Sequence, residues 1–524
     1  MTVALSPLPL RARGRAARPP TAGGGAAPLP PVRTTAGVRA LIVDLNNFAS
    51  FPTLAVGLLV GSLRDAGHSV EVLCPLAYDV PAALRERRET LRDHLARRIH
   101  LSTWAPFRSV RDAARVARAW WTGRPHPVVL REVARALEQK PDVLLLSAYL
   151  QHYASVVEIG WLAARAGVPL VLGGPMFNVG GIAEAWRAVP GLTALVGGEV
   201  DLCLPDLVAT AAASGDLLRF PGVTLPDGRR SRPAPPLRPL DACPLPDFTD
   251  FPWDRYPFRI IPIMTGRGCQ WSRCRFCSDV VSASGRTYRS RSLGSVLAEM
   301  DEQARRYGTG NFLFLDLKLN SNPGLFRGLI EEIPRTVPGA QWVGTVHVDQ
   351  RADNGLSRGD LRAAAAAGMR RISFGLESGS QRLLDAMDKG SSVEANSAFI
   401  RHAWEAGLSV RCTLFKGYPG ETADDLEQTA EFLERHAPYL DRVRFNEFAI
   451  LEDTPVYDEV KASATALEEL TLGAEDRRSG RTRADHRAAG SPAYRRAKAR
   501  ALAVVHAINR REVRRAARAF DGLM

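Results

Sequence analysis

The feature that most limits how this chain can fold is its alternation of short β-rich runs with helical lengths, which occurs in two series. In the first, from Val38 to about Ala213, the runs are "VRALIVDLN", "SVEVLC", "PDVLLLSA", "PLVLGGP" and "TALVGGE", separated by stretches such as "VVEIGWLAARAGV". Short apolar runs spaced by helices predict a doubly wound parallel sheet covered on both faces. In the second series the runs are "RIIPIMTG", "NFLFLDL", "QWVGTVHV", "RRISFGLE", "LSVRCTLFKG" and "RVRFNEFAI". Six βα units predict a parallel, barrel-like sheet that is incomplete beside a full βα barrel. The stretch "RRSRPAPPLRPLDACPLPDFTDFPWDRYPF" between the series is too rich in proline for regular structure and marks a boundary. The expected α/β organisation is therefore a disordered leader over 1–36 and a doubly wound domain over 37–214, with a helical insertion at about 78–140. A linker over 215–258, a partial (β/α)6 barrel over 259–460 and a basic helical region over 461–524 follow.

Charge narrows the classes of function. The net charge of +13 lies in the ends: residues 1–40 carry +6 and residues 471–524 carry +9, leaving the body near neutral at −2. A basic tail such as "AYRRAKARALAVVHAINRREVRRAARAF" is expected as a solvated or docking helix rather than a reader of nucleic acid. The longest apolar run, Phe48–Leu63, is short for a membrane span and contains Pro52, so it is expected as a buried loop and helix. The N-terminus lacks the apolar core of a signal peptide. Single, scattered Cys74, Cys203, Cys243 and Cys412 suit small apolar fillers in a reducing, cytoplasmic setting. The insertion, with Trp104, Trp120 and Trp121, is open to reading as a lid, a docking surface or a packing layer.

The other three of the seven cysteines crowd into "GRGCQWSRCRFCSD", as Cys269, Cys274 and Cys277. The loop follows the first strand of the second series, so it lies at a strand C-terminal end, the catalytic face of a βα barrel. Three thiolates can hold three irons of a [4Fe–4S] cluster and leave the fourth iron open. A structural zinc would call for a fourth Cys or His nearby, and the flanking loop has none. Arg267, Arg273 and Arg275 are placed to offset thiolate charge.

Together with "FLDLKLNSN", "ISFGLESGSQRLLDAMDKG", "GYPGET" and "TPVY", this loop resembles the radical S-adenosylmethionine (SAM) enzymes, more narrowly those with an N-terminal cobalamin-binding domain. The resemblance covers most of residues 38–457. It implies a [4Fe–4S] cluster on Cys269, Cys274 and Cys277, with SAM chelated at the open iron. Phe276 would lie against the adenine, Asp316 would take the SAM ammonium or a ribose hydroxyl, and Glu377 would take the ribose. Helix N-capping is the alternative for both acids. One departure stands out: four residues, Gln270 to Arg273, separate the first two cysteines where the family usually has three. His347 could reach the barrel mouth or be a satisfied structural histidine.

The first domain lacks the G-x-G-x-x-G dinucleotide fingerprint. Its resemblance to the Rossmann-like cobalamin domain of this subgroup implies that Ser147, Gly173, Gly174, Gly198 and Glu199 line the corrin. No Asp-x-His-x-x-Gly loop is present to supply an axial histidine. The implied reaction is methylation of an unactivated carbon of a small-molecule, natural-product or peptide substrate, by a 5′-deoxyadenosyl radical and methylcobalamin. A reducing partner such as flavodoxin or ferredoxin is also implied. The alternatives are a radical SAM cyclase, oxidase or rearrangement enzyme, or, in another class, a nucleic-acid- or protein-binding module that uses the basic tail.

Overall fold

The computed structural model describes residues 37–82, 88–122, 124–147, 149–277, 287–462, 470–486 and 488–523, so the expected leader lies outside the described residues. In the first series, β1 (Arg39–Asp44), β2 (Ser69–Leu73), β3 (Val143–Ser147), β4 (Leu170–Gly173), β5 (Leu192–Val196) and β6 (Val223–Thr224) form one sheet in the order β2-β1-β3-β4-β5-β6. The first five are parallel, and β6 adds an antiparallel edge. Both faces are covered because successive residues serve different cores. Ala40 and Ile42 pack with Leu54, Val56 and Val60, whereas Leu41 and Val43 pack with Val133, Leu144 and Ile159. Strand order reverses between β1 and β3, where Asp44 and Ser147 are register partners. The crevice at such a reversal is where doubly wound sheets take ligands.

Two expectations about this half need correction. The helical insertion is shorter than 78–140, because the helix Pro127–Glu138 buries Val129, Val133, Ala136 and Leu137 against the sheet. It is the crossover helix that must cover the sheet between β2 and β3; the inserted helices are Leu91–His100 and Ala105–Thr122. The proline-rich 215–258 segment has little regular structure, yet it supplies β6 and is tightly packed. Gly57 and Gly61, one turn apart on the helix Leu54–Asp65, leave a groove for it. A Cβ at Gly57 would sit 2.2 Å from the Phe248 ring, and one at Gly61 would sit 2.0 Å from the Leu245 carbonyl oxygen. From the other side Tyr307 Oη accepts from Phe248 N at 2.7 Å, and Gln303 Nε2 donates to the Pro246 carbonyl at 2.7 Å. The segment is a strap between two helices.

In the second series β7 (Ile261–Ile263) is followed by a short antiparallel pair, β8 (Gly266–Arg267) with β9 (Arg289–Ser290). Then come β10 (Asn311–Phe314), β11 (Gln341–Val346), β12 (Met369–Glu377), β13 (Ser409–Lys416) and β14 (Arg442–Glu447). β7 and β10 to β14 form a parallel sheet in sequential order, as six βα units predict. Phe312, Phe314 and Trp342 face the helices, while Leu313 and Val343 pack with Phe51, Phe520 and Leu523.

The C-terminal region is not purely helical. β15 (Ile450–Leu451), β16 (Leu470–Asp476) and β17 (Arg481–His486) form an antiparallel sheet in the order β15-β17-β16. The turn explains why: Asp476 accepts from Ser479 N at 3.0 Å and from Ser479 Oγ at 2.6 Å, and Gly480 supplies a φ of +61°. Nor is the helix Pro492–Asn509 a solvated one. It buries Tyr494, Ala501, Leu502, Val505 and Ile508, and its Arg500 pairs with Glu427 and Glu434. Beyond it, fully buried Arg371 donates to the Phe520 carbonyl at 2.9 Å, which anchors the chain end at the start of β12. No described helix is long and apolar enough to cross a membrane.

Candidate functional site

The cysteine loop leaves β8 through Gly268, whose φ is +83° and whose Cβ would lie 1.8 Å from the Thr287 carbonyl oxygen. Only glycine fits there. Cys269 and Cys274 are buried, and Cys277 is half-buried. The extra residue between the first two has a structural account. Trp271 donates its Nε1–H to the Asp388 carbonyl at 2.7 Å, and Arg275 N donates to the Met387 carbonyl at 3.0 Å. A Cβ on Gly390, at φ +65°, would meet the Trp271 ring at 1.9 Å. Ser272 takes a φ of +44° to turn the chain back. The longer loop is thus stapled to the turn 387–390 that carries Lys389.

That turn brings charges that sequence reasoning missed. Lys389 is buried, and its Nζ lies 2.9 Å from Glu377 Oε1. Burial acts to lower the Lys389 pKa, but Glu377 and the thiols Cys274 and Cys277 outweigh it and raise it. Half-buried Lys318 hydrogen-bonds the Cys269 thiol; burial and then Lys389 lower its pKa. Burial raises the Cys274 thiol pKa, and both lysines pull it back. The expected arginines have other partners. Arg267 pairs with Asp201 at 2.7 Å, Arg273 with Asp388 at 3.1 Å, and Arg275 with Glu459. Both lysines stand inside motifs quoted above, but a lysine in a loop carries no sequence mark of burial.

Glu377 ends β12 at φ +61°, an uncommon conformation for a residue with a Cβ, and the β12–β13 register slips beside it. A Cβ at Gly375 would lie 2.1 Å from Glu377 Oε1 and 2.9 Å from Lys389 Nζ, so Gly375 leaves room for the pair. Asp316 is buried beyond β10, and its carboxylate accepts from Thr265 N at 3.0 Å and Thr265 Oγ1 at 2.5 Å. Burial raises its pKa to about 6. Its visible work is to hold the chain between β7 and β8. Phe276 meets Phe415 edge-on at 5.2 Å, within an apolar cluster that includes Leu383, Met387 and Tyr418. His347 is buried, 5.8 Å from the Trp271 ring; it hydrogen-bonds the Lys389 backbone, while its Nε2 has no hydrogen-bond partner among the described residues. Glu421 of "GYPGET" is buried too; it accepts from Gly417 N at 2.6 Å and from Tyr494 Oη.

The first-sheet candidates fall into two kinds. Ser147 ends β3 at the topological reversal, and a Cβ on Gly173 at the end of β4 would meet nothing within 4 Å. Gly174 donates its N–H to the Val196 carbonyl at 3.1 Å. Gly198 and Glu199 are engaged elsewhere. A Cβ on Gly198 would meet Ala234 of the strap at 2.7 Å, which gives that glycine a packing reason. Glu199 takes Arg289 through both oxygens, at 2.5 and 2.9 Å, and accepts from Leu237 N at 2.7 Å. With the Asp201–Arg267 pair, it clamps the loop after β5 to both strands of the hairpin that flanks the cysteines. The C-terminal edges of the two sheets therefore meet at that hairpin.

Comparison with known proteins now bears on this arrangement. Residues 263–433 match the Radical SAM superfamily. The chain carries a radical SAM domain. It is 25% identical over 324 residues to an uncharacterized methyltransferase of Pyrococcus horikoshii, a match over 60% of this chain and 68% of that protein. It is 27% identical over 259 residues to the anaerobic magnesium-protoporphyrin IX monomethyl ester cyclase of Rubrivivax gelatinosus, covering 47% of this chain and 45% of the cyclase. This chain shares its fold with the cobalamin-dependent SAM radical enzyme OxsB, with a TM-score of 0.64 and 17% identity over 86% of this chain and 64% of OxsB. It shares it also with the radical SAM methyltransferase TsrM of Kitasatospora setae, with a TM-score of 0.62 and 18% identity over 89% of each chain. The match thus spans under two thirds of OxsB and under half of the cyclase.

Proposed function

We propose that this chain is a cobalamin-dependent radical SAM enzyme that transfers a methyl group to an unactivated carbon of a small-molecule substrate. The observation that carries the reading is the meeting of a three-cysteine loop with the ligand-binding edge of a doubly wound sheet, through Glu199–Arg289 and Asp201–Arg267. The donors fit an iron–sulfur cluster better than a single ion. Among the described residues the three sulfurs form no trio within 4.8 Å of one another, wider than the ligands of one tetrahedral ion. Lys318 and Lys389 supply the positive charge that a thiolate-bound cluster calls for.

Bound together, the cluster and SAM supply hydrogen abstraction from carbon, and the corrin supplies the methyl group. The chain's own residues do the rest. Cys269, Cys274 and Cys277 would hold the cluster; Lys389 fixes the Glu377 carboxylate at the end of β12, facing the SAM ribose in this reading. Phe276 and Phe415 offer an aromatic wall to the adenine. Ser147, Gly173 and Gly174 would border the corrin, and Gly198 and Glu199 would set the loop beside it. Asp316 fixes the loop root through Thr265 and, in this reading, is also placed for the SAM ammonium or a ribose hydroxyl.

The test is an absorption spectrum of anaerobically reconstituted protein, followed by product mass after reaction with SAM and a reductant such as reduced flavodoxin. Both a corrin and an iron–sulfur chromophore are expected, and a product heavier by one methyl group. The relative named as a cyclase favours a second reading, ring formation without methylation, which the same product mass distinguishes. Material that carries neither chromophore would overturn both readings.

A further inference from the structure

Away from the cysteine loop, the first inserted helix meets the C-terminal helix at a cluster that the proposed chemistry does not use. Glu89 precedes the helix Leu91–His100, His94 lies within it, and His506 lies in the helix Pro492–Asn509. Glu89 is 5% exposed and His94 is 8% exposed. Glu89 Oε1 lies 3.5 Å from His506 Nδ1 and 3.9 Å from His94 Nδ1, and the three atoms are all within 4.8 Å of one another. None of these three buried atoms has a hydrogen-bond partner. Buried donors and acceptors nearly always find partners, so three unpartnered atoms aimed at one point call for something between them.

The surroundings hold the carboxylate in that pose. Its other oxygen, Oε2, accepts from Asn509 Nδ2 at 3.1 Å and lies 3.0 Å from Arg97 Nη1. Asn509 is itself fixed on Val443, accepting from its N–H and donating to its carbonyl, both at 2.8 Å. Glu89 N donates to the Asn509 carbonyl at 3.0 Å. Oε1 is thus turned towards the two imidazoles, whose rings stack with centroids 4.5 Å apart.

We propose that Glu89 Oε1, His94 Nδ1 and His506 Nδ1 bind a single Zn²⁺ ion that staples the insertion to the C-terminal helix. Two imidazoles and a carboxylate are a zinc donor set, and a tetrahedral ion with bonds of about 2.0–2.1 Å spaces its ligands roughly 3.4 Å apart. The observed 3.5 and 3.9 Å separations are near that spacing, and rotation of the stacked rings closes the remaining edge. Arg97 and Asn509 are the outer partners that orient the carboxylate. The site adjoins Val443 at the start of β14, the edge opposite the cysteine loop, so the ion acts on stability and not on the reaction.

The experiment uses full-length protein with and without Cys269→Ala/Cys274→Ala/Cys277→Ala, which removes zinc binding by the loop thiols. After incubation with zinc chloride and gel filtration, the triple-alanine protein should retain about one zinc per chain. His506→Gln or Glu89→Gln in that background should weaken retention by about 10–100-fold. Cobalt(II) should give visible d–d absorption in the triple-alanine protein and not in His506→Gln. A chelator should lower the melting temperature of the parent and leave that of Glu89→Gln unmoved, a measurement that also reports whether the variant folds. Zinc retained at the parent level by both variants, or no zinc on the triple-alanine parent, overturns the proposal and leaves an ion-free Glu–His cluster.

Discussion

The strand ends of the two sheets are built from opposite materials. Those of the second sheet are charged and conformationally constrained: Glu377 at positive φ, paired with buried Lys389, stands near Lys318, His347 and three thiols. Those of the first are small and uncharged at Ser147, Gly173 and Gly174, and the carboxylates of Glu199 and Asp201 are spent on arginines of the hairpin. A region that must hold a charged cluster and polarise a small cofactor needs fixed ions in a dry setting. A region that must cradle a broad macrocycle needs room and backbone, and the contrast is what two cofactors of different shape would require.

That contrast can be broken or sharpened by experiment. The largest effect is expected from Cys274→Ala, which should abolish iron–sulfur absorbance and deoxyadenosine formation while cobalamin binding persists. Loss of both cofactors would show that the two regions are not separable. Lys389→Met should come next. It leaves Glu377 buried without its cation, at a cost of about 3–5 kcal/mol, and should cut SAM cleavage by about 10–100-fold in a single-turnover assay. Phe248→Ala tests the strap between the regions; emptying that fully buried site should destabilise the whole chain by about 3–5 kcal/mol in denaturant unfolding. A single transition that shifts as a unit is expected, whereas two separated transitions would mean that the halves fold apart.

The sheets share one device, and it gives a smaller effect. Asp44 at the end of β1 and Asp316 beyond β10 are each buried on a threonine hydroxyl, and burial raises both to about 6 from an ordinary 3.8. The folded state then holds their protons more tightly than the unfolded chain does. Their contribution to stability is full below pH ~4 and is lost as pH rises through 6, by about 2–3 kcal/mol for each. Asp44→Asn or Asp316→Asn should each flatten that slope in denaturation midpoints. The smallest structural effect is expected at Gly173, where a methyl group meets open space. Gly173→Ala should change stability by less than about 0.5 kcal/mol, so weaker cobalamin binding in that variant would place the corrin against β4.

How far the sequence revealed this molecule depended on the range of the interaction concerned. Strand order in the second sheet and the place of the cysteine loop follow from local runs and their sequence. Lys318 and Lys389 were printed in the quoted motifs, but their burial depends on Glu377 and on loops folded over them from elsewhere. Gly198 looked like a ligand-contact glycine; its neighbour proved to be Ala234, 36 residues away along the chain. The β16–β17 hairpin was hidden because charged and small residues in its arms, "LTLGAED" and "RTRADH", break up any run of alternating apolar residues, and the Asp476–Gly480 turn is what marks it. Trp271 explains the longer cysteine spacing, yet its partner Asp388 is more than a hundred residues distant.

The groove at Gly57 and Gly61 has an evolutionary corollary. Side chains on that helix and those from Leu245 to Phe248 cannot drift independently, because a larger residue on one would collide with the backbone or ring of the other. An engineer grafting a relative's first half onto this barrel would have to carry the proline-rich strap across with it.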